Sequence, residues 1–174
     1  VGLVTLFAEA AMAQTSSAPA MVPVPPATIV RDGQGQATVR TLIHRLIRKG
    51  LESLGYRGAV VSFDWPCADS AVNYLDDRTD AKRTALQLVT DGISSFAHTV
   101  QQDCEISTHA LAHSMGAFVL REAFDDADDR PGLVTTGWSL SQGILIGADV
   151  SASSMAASDV SSSLYRHCVR LPKY

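Results

Sequence analysis

The sequence predicts a three-layer α/β sandwich on a mostly parallel sheet of about five strands. Two observations carry this. Short apolar or β-branched runs at 59–63, 106–112 and 144–146 alternate with helical patterns at 39–51, 81–100 and 115–124. Alternation of this kind builds a parallel sheet, because each parallel connection must cross a face. Right-handed crossovers then put helices on both sides. The chain has 174 residues, 46% hydrophobic and 18% charged, which suits one domain with a buried core.

Residues 1–13, VGLVTLFAEAAMA, are almost wholly apolar and end in Ala11-Met12-Ala13. That A-x-A pattern before Gln14 reads as the tail of an export signal and predicts an exported, periplasmic or secreted protein. Glu9 interrupts the run and no basic residue precedes it, so an amphipathic N-terminal helix is the competing reading. Residues 14–27 contain Pro19, Pro23, Pro25 and Pro26 and read as an extended linker. The folded domain is then expected over 28–174, starting near Thr28.

Ala27–Val30 is a weak strand, and Arg31-Asp32-Gly33-Gln34-Gly35 is a turn. Val39, Leu42, Ile43, Leu46, Ile47 and Leu51 form one helical stripe that closes at Gly50 and Gly55. Ala59–Phe63 is a β-branched strand stopped by Pro66. A polar stretch through Asp80 leads into a helix over Ala81–Val100. Ile106–Ala112 predicts a strand, Met115–Phe124 a helix, and Asp125–Asp129 its solvated acidic exit. Ile144-Leu145-Ile146, bounded by glycines, suits a strand covered on both faces. A Ser-rich loop at 151–163 precedes a last strand at Tyr165–Leu171. A chain that stops after that strand, at Tyr174, reads as incomplete.

Composition excludes several function classes. The net charge of −4 without a Lys/Arg cluster argues against nucleic acid, since phosphate binding needs concentrated positive charge. No apolar run approaches the roughly 20 residues of a membrane span. Cys67, Cys104 and Cys168 are widely spaced, without a CxxC pair. They read as small buried residues, with one disulfide open in an oxidising compartment. No metal or organic cofactor is expected. The loop 31–35 lacks both G-x-G-x-x-G and a Walker lysine, which leaves nucleotide binding a distant reading.

The chemistry concentrates at Ala112-His113-Ser114-Met115-Gly116, between a strand and a helix. A nucleophile elbow needs this context, because the sharp turn strains the serine and projects its Oγ. Ala112 and Gly116 are small enough for the two arms to pass closely. The N–H of Met115 would sit at a helix N-terminus, aimed at a developing oxyanion, where one donor is worth about 3–4 kcal/mol. The structural alternative is a turn in which Ser114 merely caps the helix.

The segment resembles the α/β-hydrolase superfamily. More closely, it is similar to an uncharacterised bacterial branch with a strand ending in F-x-W-P, a downstream Tyr and Asp, and then A-H-S-M-G. The matching residues are Phe63-Asp64-Trp65-Pro66, Tyr74, Asp77 and Ala112 to Leu120. Ile144 to Val150 resembles the next strand and its terminal acid. The resemblance covers roughly residues 56–171 and implies a partial α/β-hydrolase fold. It further implies that Gly33 could supply a second oxyanion N–H. Where the family usually has His-Gly, however, this chain has Asp32-Gly33, and Asp32 would oppose negative charge there.

The acid and base are harder to find. Asp149 is the candidate acid, with capping of its own loop as the plainer role. Asp64 reads as a loop residue. His113 directly precedes the serine and should point away. His109 lies within a strand, His98 at an amino end, and His44 on a helix. His167 has the right chain order but starts its strand, which puts it at the wrong edge. The expectation is a serine hydrolase of small-molecule ester or acyl substrates that carries the nucleophile and lacks the histidine. A serine-directed probe should then label it feebly or not at all. The competing expectation is a non-catalytic binding domain on the same scaffold. Antiparallel neighbours flanking the Ser114 strand, or its Oγ inside packed hydrocarbon, would contradict the elbow.

Overall fold

The computed structural model describes residues 3–10, 39–65, 74–94, 106–133, 138–151, 162–172 and 174. Their elements are β1 (Leu3–Ala10), α1 (Val39–Ser53), β2 (Ala59–Phe63), α2 (Tyr74–Gln87), β3 (Ile106–His113), α3 (Met115–Asp129), β4 (Leu140–Ile146), α4 (Ser162–His167) and β5 (Cys168–Arg170). A π-helical turn, Leu88–Ile93, continues α2. The sheet runs in the order β2-β1-β3-β4-β5. β3, β4 and β5 pair in parallel, while β1 pairs antiparallel with both β2 and β3. Four of the five strands therefore point one way and β1 is the reversed one.

Helices cover both faces. Val4, Leu6, Ala110, Ala112 and Leu145 pack with Leu88, Val119, Leu120 and Phe124 in the core under α2 and α3. On the other face α1 meets β2 through His44 Nδ1, 2.6 Å from Ser62 Oγ. This is the three-layer α/β arrangement the alternation predicts.

The largest departure is at the N-terminus. Residues 1–13 were expected outside the fold, as a leader tail or a helix; instead Leu3–Ala10 fills the sheet between β2 and β3. Leu3, Val4, Thr5, Leu6, Phe7 and Ala8 are all buried. A short apolar run suits a doubly covered strand as well as a leader. The linker at 14–27, the weak strand at Ala27–Val30, and Cys67 and Cys104 lie outside the described residues.

Three boundaries also shift. The expected polar loop before Asp80 is already helical: α2 starts at Tyr74, with Asp76 and Asp77 in its first turn, where carboxylates favour the positive end of the helix dipole. Helix α3 runs through the acidic exit to Asp129. Residues Tyr165–His167, read as strand, close the short helix α4 before β5. Helix α1 ends as expected: Gly55 has φ +88, Gly55 N–H donates to Glu52 O and Tyr56 N–H to Leu51 O, which is a Schellman closure.

Polar clamps tie the helices on the α3 face together. Glu122 is buried and paired with Arg121 and with Lys82 of α2 at 2.9 Å. Burial pushes its carboxyl up, but hydrogen bonds from Arg121 and Lys82 outweigh this and hold it below the usual range. Asp128 accepts from Arg166 and lies 2.6 Å from His167 Nε2. Burial raises Asp128, and the bonds from Arg166 and His167 more than reverse that. A depressed carboxylate stabilises the fold above its ordinary pKa of 3.8 and loses that contribution as pH falls through the lowered value. Asp128→Asn is therefore expected to cost about 1 kcal/mol in urea unfolding at pH 7 and progressively less below pH ~4. Cys168 is free and buried, and burial pushes its thiol up to about 12. Peptide mapping after iodoacetamide at pH 8 should find Cys168 unmodified in the folded protein and alkylated in denaturant.

Candidate active site

Ser114 sits where β3 turns into α3. It is half-buried, and its φ of 54° and ψ of −125° make it the one non-glycine residue with positive φ among those described. Such a backbone costs of order 1–3 kcal/mol and persists only where its surroundings impose it. Four contacts impose it here. Ser114 N–H donates to Ile146 O at 3.2 Å, and Ser114 O accepts from Ala117 N–H and Asp149 N–H, each at 3.0 Å. Gly116, two residues on, lies against β1: a Cβ there would stand 2.0 Å from Leu3 O. Only glycine fits this crossing.

Ser114 is the N-cap of α3 but its side chain makes no capping hydrogen bond. The plainer role, a serine that caps its helix, is not the one the backbone adopts. Met115 and Gly116 open a 15-residue helix, and first-turn N–H groups have no acceptor inside a helix. The Met115 N–H therefore points out of the helix end, with the dipole behind it.

The carboxyl ends of β2, β3 and β4 carry Asp64, Ser114 and Asp149 as expected. Asp149 is joined to the elbow through its backbone, and its side chain is half-buried. Asp64 is exposed at the end of β2, beside the buried Trp65. β3 has the parallel β4 on one side and the antiparallel β1 on the other. Only one neighbour is thus of the expected sense. Ser114 and Asp149 both follow strands of the parallel pair, β3 and β4. Gly33, the expected second oxyanion donor, lies outside the described residues, as do Asp32 and His98.

No described imidazole serves Ser114. His167 is held by Asp128 and stacks on Trp138 with ring centroids 3.9 Å apart. Asp128 is fourteen positions along the chain from Ser114, about 20 Å away at 1.5 Å per helical residue. His109 stacks on Phe7 in the sheet interior. His113 is exposed, with its ring near Gly147. His44 does meet a serine, Ser62, but Ser62 is in the β1–β2 ladder opposite Thr5 and no helix start offers it an oxyanion donor. That contact was missed in the sequence because only tertiary packing brings positions 44 and 62 together.

Residues 27–168 match the model of a family described as an alpha/beta hydrolase of unknown function, DUF900. The chain belongs to this family. The matched span contains β2, β3, the elbow, α3 and β4, so family membership and the strained serine concern the same part of the molecule. The hydrolase scaffold is thereby established; the family description assigns it no substrate. No curated protein and no solved structure matches the chain. No described helix is long and apolar enough to cross a membrane. Among the described residues no three His, Cys, Asp or Glu side chains converge as metal ligands would.

Proposed function

We propose that this chain is a serine hydrolase of small-molecule esters, acting through an acyl-enzyme on Ser114. The observation that carries the reading is a strained, positive-φ serine at a strand-to-helix turn, its hydroxyl unused by any cap. Ser114 Oγ attacks the acyl carbon. The Met115 N–H donates to the resulting oxyanion, and Gly33 is the proposed second donor. The carbon–oxygen bond to the alcohol then breaks, and water hydrolyses the acyl-enzyme. Asp149 is the proposed acid, tethered to the elbow by its own N–H. Thioesters and amides fit the same machinery, and the pocket decides among them. A serine hydroxyl is almost wholly protonated at neutral pH and needs a base to become a good nucleophile. With no described imidazole against Oγ, turnover by this polypeptide is expected to be slow.

That no described imidazole meets Oγ also favours a second reading, a non-catalytic binding domain on the hydrolase scaffold. Hydrolysis of a short-chain chromogenic ester separates the two. A rate above that of Ser114→Ala supports the enzyme, and equal rates support the binding domain.

A further inference from the structure

We propose that His44 is a pH-sensitive latch, which holds α1 on the sheet and releases it in mild acid. This device is independent of the chemistry at Ser114.

Helix α1 is shallowly seated. Ile43, Ile47 and Leu51 are only half-buried, and Leu46 is 69% exposed. Between Ile43 and Ser53 the one buried side chain is His44, 7% exposed. Its Nδ1 lies 2.6 Å from Ser62 Oγ, and Ser62 Oγ lies 3.3 Å from Thr5 Oγ1. A short polar line thus joins α1, β2 and β1. The other ring nitrogen, Nε2, is buried and finds no hydrogen-bond partner among the described residues.

Neutral imidazole suits this place. With its proton on Nδ1 it donates to Ser62, Ser62 donates to Thr5, and only a lone pair is left at Nε2. A second proton would put a charged N–H where nothing accepts it. Among the described residues no carboxylate compensates it. Arg45 and Arg48 lie on α1 itself, and Arg48 is paired with Glu52 at 2.9 Å. β2 presents Val60 and Ser62, and β1 presents Leu3, Thr5 and Phe7, none of them titratable. The same face of β3 carries His109, stacked on Phe7, and His113, exposed opposite Leu3; the turn after α1 carries Tyr56, edge-on to Phe7, and Arg57. Burial, then Arg48 and Arg45, hold the His44 pKa below its ordinary 6.5. The latch is accordingly intact above pH 6.5 and weakens as pH falls through the lowered value, by at most tenfold per pH unit for one proton.

Hydrogen exchange of the full chain, read by mass spectrometry and corrected for intrinsic rates, tests this. Between pH 7.5 and pH 5, residues 39–53 are expected to exchange at least tenfold faster while residues 115–129 stay protected. His44→Asn, which keeps a donor near Nδ1 but cannot titrate, should abolish that difference. Unchanged wild-type protection, joint loss in both helices, or the wild-type response in His44→Asn would overturn the latch. Should His44→Asn leave α1 unprotected at pH 7.5, the NMR titration of the His44 ring decides. A midpoint below 6.5 that coincides with the loss of protection supports the latch; separate midpoints sink it.

Discussion

Gly116→Ala is expected to be strongly destabilising, although it adds only one methyl group. The new Cβ would stand 2.0 Å from Leu3 O and 2.6 Å from Leu3 C, both backbone atoms of a central strand. A flexible side chain could swing aside, but the Leu3 backbone is held in register with His113 of β3. Overpacking in a core costs about 1–3 kcal/mol and more where nothing yields. A loss of about 3 kcal/mol, or roughly 10 °C in thermal midpoint, is therefore expected. The perturbation falls on the elbow first, since Gly116 is two residues from Ser114. Differential scanning calorimetry measures the effect, and a loss under 1 °C would mean that β1 does not lie against α3 as described. Alanine at Gly50, where nothing lies within 4 Å of the added atom, should be harmless by comparison.

Ser114→Gly is expected to move stability and activity in opposite directions. Glycine adopts φ of 54° and ψ of −125° without the steric penalty a Cβ meets. Relief of strain worth 1–3 kcal/mol, less the extra freedom of glycine in the unfolded chain, leaves a net gain of about 1 kcal/mol. Removal of the hydroxyl eliminates the nucleophile, so ester hydrolysis should fall at least ~100-fold, to the level without protein. Ser114→Ala should lose the same activity and gain none of the stability, because alanine keeps the Cβ. Stabilisation by glycine and not by alanine would mark the strain as belonging to the backbone at 114. A serine that only capped a helix would show the reverse, with both substitutions destabilising.

The strand-to-helix turn at Ser114 was legible in the sequence because its markers are local. A serine between a strand and a helix, with small residues at 112 and 116, marks the turn, while Ile146, Asp149 and Leu3 hold its geometry. β1 was not legible. Leu3–Ala10 is a mostly apolar run broken by Thr5 and Glu9, and its role is decided by the registers Val4↔Phe63 and Val4↔Ala112, which no local pattern encodes. The start of α2 was hidden for a related reason. Leu75 and Asp76 are exposed, so its first turn lacks the apolar stripe that marks a helix. Helix α4 is six residues long and is held by contacts from elsewhere: Leu164 is fully buried, and His167 meets Asp128 and Trp138. An isolated helix of that length would not persist in water. The clamp on His167 explains why chain order alone was a poor guide.

Mapping the adduct of a fluorophosphonate probe by peptide mass spectrometry tests the central claim most directly. The account predicts slow modification confined to Ser114, absent from Ser114→Ala and unchanged in His167→Ala. A chain left unmodified at Ser114 after prolonged exposure, or modified at Ser62 instead, would contradict it.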